Sequence, residues 1–172
     1  MDCQTNHKRF LPNSKECFVC GEDNPAGLRI RMYVENDVVK THWRPITHHC
    51  GYKNVVHGGV IAALLDECMA WAATRCTGRT CVTGDISIRY AKRVPGDHEL
   101  TVYAEVVKPG KRLVHVQARI VDDTGEEYAH AKGRFVAMTA EETLEVDDYL
   151  LYRGGEERVF DPLRAQAAQG EC

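Results

Sequence analysis

Residues 54–76, NVVHGGVIAALLDECMAWAATRC, constrain the fold more than any other stretch. Between Val60 and Ala73 the only charged side chains are Asp66 and Glu67, so the segment is a helix that is apolar on nearly every face. Such a helix has to be enclosed by other elements rather than laid on a surface. The two adjacent carboxylates are the anomaly. An ionised carboxylate is costly to bury without a partner, and burial raises its pKa toward the range of a base working near neutrality.

The flanking segments supply the enclosure. Before the helix, LRIRMYV (28–34) and VVKTHWR (38–44) alternate with period two about a turn, END. After it, CVTGDISIRYA, ELTVYAEVV, RLVHVQARIVD and EYAHAKGRFVAM are four strand candidates, joined through KRVPGDH, KPGK and DTGE. The last two connections are tight and imply an antiparallel meander. The expected fold is α+β: a six-stranded antiparallel sheet wrapped around one long central helix. Residues 1–27, broken by Pro12, Gly21, Pro25 and Gly27, are expected to form an arm over the core. Residues 28–138 form the main domain and 139–172 a polar C-terminal extension, with Thr139 or Thr143 as helix caps and a frayed end at AQAAQGEC.

A chain of 172 residues can bury a single core without staples. Apolar content of 44%, charged content of 27% and a net charge of −3 describe a soluble globular protein with no broad positive field for nucleic acid or an anionic membrane. No run reaches the roughly 18 apolar residues of a membrane span, and MDCQTNHKRF carries no signal-like apolar region. A cytoplasmic location is therefore expected, and the eight cysteines are expected to be reduced thiols.

At helical spacing Asp66 shares its stripe with Gly59, Ala62, Ala63, Ala70 and Ala73, so a backbone or ligand can approach it closely. His57-Gly58-Gly59 starts the helix, where free N–H groups carry the positive end of its dipole and can receive a developing oxyanion. An ordinary structural alternative pairs Asp66 or Glu67 with Arg75, Arg89 or Arg93.

The motifs HGGVIAALLDE (57–67), VTGDISIRYAKRVPGD (82–97), AEVVKPGKRLVHVQARIVDDTGEEYAHAKGRFV (104–136) and CFVCGEDNPAGLRI (17–30) resemble hotdog-fold acyl-CoA thioesterases of the phenylacetate-pathway and 4-hydroxybenzoyl-CoA type. The resemblance implies that Asp66 is the base or nucleophile and that the Gly58 N–H, helped by Gly59, polarises the thioester carbonyl. It implies that Thr83 orients water and makes Glu67 the neighbour of the matching carboxylate; His57 is read first as a helix-start residue that fixes the loop and is the weaker catalytic candidate. Many relatives carry Asn or Gln where this chain has Gly51, which leaves Asn54 to take over positioning, or the role absent.

The resemblance also implies an acyl-CoA substrate, with Lys92, Arg93, Lys111 and Arg112 near its nucleotide end. It implies a homodimer or dimer of dimers with the site between subunits, and no cofactor. Two other classes stay open. One is a non-catalytic acyl-CoA binding or regulatory hotdog domain. The other is a zinc or redox protein using Cys17-x-x-Cys20 with Cys3, His48, His49 or Cys50, although a single CxxC pair assigns no metal site by itself.

Overall fold

The computed structural model describes residues 8–170. In chain order it contains β1 (Arg9–Phe10), β2 (Asn13–Ser14), β3 (Tyr33–Glu35), β4 (Val38–Trp43), β5 (Cys50–Tyr52), β6 (Val55–Val56) and α1 (Gly58–Thr77). There follow β7 (Cys81–Tyr90), β8 (Leu100–Lys108), β9 (Leu113–Asp122), β10 (Glu127–Ala137), α2 (Ala140–Asp148), β11 (Leu150–Leu151) and α3 (Asp161–Ala168). Cys3 lies outside the described residues.

α1 is set by its ends as much as by its composition. His57 caps the start, its Nδ1 accepting the Gly59 N–H at 2.9 Å. Gly78 ends the helix in the left-handed region at φ 66°, which a glycine adopts without strain. The helix is wrapped by one antiparallel sheet of order β1-β3-β4-β8-β9-β10-β7. Ile61, Leu64, Leu65, Cys68, Met69 and Trp71 face its inner surface and are buried. Met69 and Trp71 are thus core residues.

The expected six strands are all present, and β1 adds a seventh at the edge beside β3. Two boundaries differ from the sequence expectation. The first hairpin strand begins at Tyr33 rather than Leu28, because the preceding backbone is engaged by the arm: the Leu28 and Ile30 N–H groups donate to the Phe18 and Val19 carbonyls, and the Leu11 N–H donates to Met32 O. The turn to β4 is the two-residue Asn36-Asp37, both at positive φ, as a hairpin that follows the twist of its strands requires. At the other end α3, anchored by the buried Leu163, runs into the expected frayed segment as far as Ala168. Of the two candidate caps, Thr139 starts α2, and its hydroxyl and Glu142 form a reciprocal capping box.

Arm and extension meet. β2 pairs with β11, and the Glu157 N–H donates to Phe10 O at 2.8 Å. Leu11, Val19 and Cys20 from the arm pack in the same apolar cluster as α1 and the sheet. Six cysteines are described (Cys17, Cys20, Cys50, Cys68, Cys76 and Cys81), and all are free thiols. No helix among the described residues is long and apolar enough to cross a membrane.

Candidate active site

α1 is not enclosed on every side. Gly59 is exposed, and Ala62, Ala63, Asp66 and Ala70 are only partly buried. This small-residue stripe lies along β7, the edge strand of the sheet. β7 is exposed along most of its length, with Val82 and Tyr90 at 49% and 51%. Asp66 therefore sits on an open flank rather than at the bottom of an enclosed space.

Its position is set by one hydrogen bond. Thr83 Oγ donates to Asp66 Oδ1 at 2.7 Å. Thr83 reaches α1 next to a one-residue irregularity: the ladder pairs Asp85 with Arg134 and Thr83 with Phe135, skipping Gly84. Such a bulge re-aims the side chains beside it. A Cβ at Gly84 would lie 3.1 Å from Arg134 O, so a side chain there would press on the neighbouring strand.

At the start of the helix the two glycines differ. The Gly59 N–H is taken by His57 Nδ1, whereas the Gly58 N–H begins the helix and has no intrahelical acceptor. Tyr90, at the end of β7, closes over this point, its hydroxyl donating to Gly58 O at 3.0 Å. Sequence reasoning did not single out Tyr90; its place ending a strand that carries Thr83 seven residues earlier was the available signal. Gly58, Tyr90, Lys92 and Arg93 line a cleft of about 300 Å³ with Val56 and Ile61. Lys92 is ion-paired to Glu126.

The remaining candidates do not gather there. Asn54, at φ 54°, uses its Oδ1 to accept the Gly96 N–H at 3.2 Å and so ties the loop before α1 to the turn after β7. Gly51 packs so closely on His57 that a Cβ would lie 3.0 Å from the ring, which explains why a small residue stands there. Lys111 and Arg112 line an open groove of about 1240 Å³ with Cys76 and Thr77, at the C-terminal end of α1. In one copy of the chain the two basic pairs are thus a helix length apart.

Glu67 parts company with Asp66. Successive helical residues are about 100° apart, and Glu67 faces the arm, where Cys17 Sγ donates to its Oε1 at 3.6 Å. The residue is partly exposed as a whole, but its carboxyl end is packed in protein. Desolvation pushes the Glu67 carboxyl up to about 8, with the neighbouring Cys17 charge adding to the effect. The hydrogen bond shared with Cys20, reinforced by backbone N–H groups, lowers the Cys17 thiol, while the same contact and burial raise that of Cys20. No ion pair among the described residues involves Asp66 or Glu67; Arg75 pairs with Glu157 and Asp37 instead.

One helix wrapped by a curved antiparallel sheet, with a carboxylate on its open stripe, defines the hotdog class. Residues 53–129 match the family model of the thioesterase superfamily. Solved structures agree on the fold. A thioesterase superfamily protein is similar at TM-score 0.66 and 24% identity over 71% of this chain and 60% of its own; this chain thus spans only that part of its length. A hypothetical thioesterase with coenzyme A from Streptococcus pneumoniae is similar at TM-score 0.56 and 23% identity, over 59% of this chain and 81% of that one. The Escherichia coli PaaI protein from the phenylacetic acid degradation operon is similar at TM-score 0.59 and 20% identity, over 65% of this chain and 81% of its own. No curated protein matches the chain in sequence.

Proposed function

We propose that the protein is a cytoplasmic acyl-CoA thioesterase that hydrolyses a CoA thioester to the free acid and CoA at a site shared by two copies of the chain. The observation that carries this is Asp66, partly exposed on the small-residue stripe of α1 and held by Thr83. Asp66 acts as base toward water, or as nucleophile on the thioester carbonyl, with the hydroxyl of Thr83 fixing its carboxylate. The Gly58 N–H, at the positive end of the helix, receives the carbonyl oxygen as it gains charge. The coenzyme A in the Streptococcus pneumoniae structure supports the substrate class.

Geometry favours the shared site. Gly58 and Asp66 are eight residues apart on one helix, or about 12 Å along its axis, too far for one thioester carbon to meet both. A second copy packed antiparallel along β7 removes the difficulty. A two-fold axis near Ile86 and Ser87 would set Thr83 opposite Tyr90 of the second copy, and Asp66 beside that copy's Gly58. The same operation brings Lys111 and Arg112 of one copy to the end where Lys92 and Arg93 of the other lie, giving one basic rim for the phosphates of CoA. It also pairs the unpartnered edge of β7 and covers Val82 and Tyr90.

Thiol release from short, medium, long and aromatic acyl-CoAs, measured on wild type and folded Asp66→Asn, tests the proposal. Release by wild type that is lost in Asp66→Asn supports it. No release from any ester, with CoA-ester binding retained, moves the protein to the non-catalytic binding class.

A further inference from the structure

The cluster formed by Cys17, Cys20 and Glu67 takes no part in the thioester chemistry proposed above. One ligand atom from each residue lies within 4.8 Å of the others. The two cysteines belong to the turn Cys17-Phe18-Val19-Cys20-Gly21, and Glu67 reaches it from α1, fifty residues further along the chain.

The turn is built around its sulfurs. The Val19 and Cys20 N–H groups point at Cys17 Sγ at 3.3 and 3.5 Å, and the Ser14 N–H points at Cys20 Sγ at 3.4 Å. The Gly21 N–H closes the turn on Cys17 O at 2.9 Å. A Cβ at Gly21 would lie 2.3 Å from that oxygen, so only glycine lets the backbone fold so tightly. Backbone N–H groups directed at sulfur are how proteins support metal-bound thiolates, and C-x-x-C is a spacing by which one turn presents two of them.

Glu67 supplies what a lone C-x-x-C pair lacks. Its carboxylate is packed against the thiols with no lysine or arginine in ion-pair range among the described residues, and the groups that hydrogen-bond it are thiols, Cys17 and Cys20, which are weak donors. A desolvated carboxylate so placed is left without adequate compensation. At ordinary Zn–S and Zn–O bond lengths, tetrahedral ligation sets sulfur and oxygen about 3.6 Å apart. The separation of Cys17 Sγ and Glu67 Oε1 is 3.6 Å.

We propose that Cys17, Cys20 and Glu67 bind a thiophilic divalent cation of the zinc class, with water in the fourth position. On binding, two metal–sulfur bonds and one metal–oxygen bond form, the two S–H protons pass to solvent, and no electrons are transferred. The ion joins the N-terminal arm to α1 at the residue after Asp66 and acts as a tether. Cys20, fully buried, provides the inner ligand and Cys17, partly exposed, the outer one.

The experiment uses the full chain, reduced, freed of metal with a chelator and titrated with Co²⁺ and then Zn²⁺. One equivalent of Co²⁺ should bind per chain, with thiolate-to-metal charge-transfer absorption and tetrahedral d–d bands that Zn²⁺ abolishes. Glu67→Gln should weaken uptake by about 10- to 100-fold and Cys17→Ser by at least about 100-fold, taking the losses seen when supporting groups of metal sites are removed as a lower scale. Circular dichroism checks each fold; if Cys17→Ser does not fold, the wild-type spectrum and Glu67→Gln decide. A folded wild type without the charge-transfer band, uptake undiminished in folded Cys17→Ser, or a Cys17–Cys20 disulfide whose reduced form takes up no Co²⁺ would each overturn the proposal. Failure to hydrolyse any thioester would leave these readouts unchanged, so the two proposals fail separately.

Discussion

Asp66 and Glu67 are neighbours in sequence and alike in charge, yet the molecule puts them in opposite circumstances. Asp66 faces an edge strand, touches a hydroxyl and remains open to what lies beyond β7. Glu67 faces two thiols under the N-terminal arm and is desolvated. The turn of the helix alone separates them, so two different environments meet across one peptide bond. A third carboxylate gives the scale of ordinary structural use. Asp147 is buried too, but it accepts from Tyr152 Oη and is ion-paired with Arg164. Glu67 has no such cation.

The largest effect expected is at the open side. Asp66→Asn should lower kcat for thioester hydrolysis by about 10²- to 10⁴-fold, the range of a lost general base, with far-UV circular dichroism unchanged; a folded variant that retained most of its turnover would take the chemistry away from this flank. Next in size is the seam. Lysines at the exposed positions 82 and 90 (Val82→Lys with Tyr90→Lys) should convert a dimer to monomer in sedimentation and lower hydrolysis by about 10²-fold, as loss of a carbonyl-polarising donor does. Full activity in a monomer would show that one copy suffices.

Thr83→Val sharpens the contrast further. It keeps the β-branched shape suited to β7 and removes only the hydroxyl that holds Asp66, so kcat should fall about tenfold, a loss of roughly 1.4 kcal/mol in transition-state stabilisation, with KM little changed. Smallest is the structural pair. Arg164→Met strands the buried Asp147 carboxylate with Tyr152 alone, and should lower stability to urea by about 1–2 kcal/mol, discounted because Arg164 is partly exposed. Hydrolysis and metal uptake should both be unaffected.

Much of the fold is legible in the sequence because it is carried by local period. The apolar run 60–73 becomes α1, and the alternating segments after Gly78 become β7 to β10, with tight turns joining β8 to β9 and β9 to β10. What escapes is pairing between distant short segments. β1 against β3 and β2 against β11 are two-residue contacts with no periodic signature, and they take up backbone that LRIRMYV would otherwise use as a strand. The candidate site divides in the same way. The motif residues point to Asp66 and Gly58, and the structure joins Thr83 to Asp66. Tyr90 over Gly58, the engagement of the Gly59 N–H by His57, the Asn54–Gly96 tie and the turn of Glu67 toward Cys17 depend on side-chain direction, which spacing does not convey.

The pairing of β2 with β11 has a consequence for how such a chain can change over time. The tail holds Asn13 and Ser14, and the Glu157 N–H donates to Phe10 O, so the first and last parts of the molecule are tied directly to each other as well as to the core. Loss of one leaves the other without its partner. Among related chains the two segments should be inherited as a unit, present together or missing together, even though more than a hundred residues of sequence separate them.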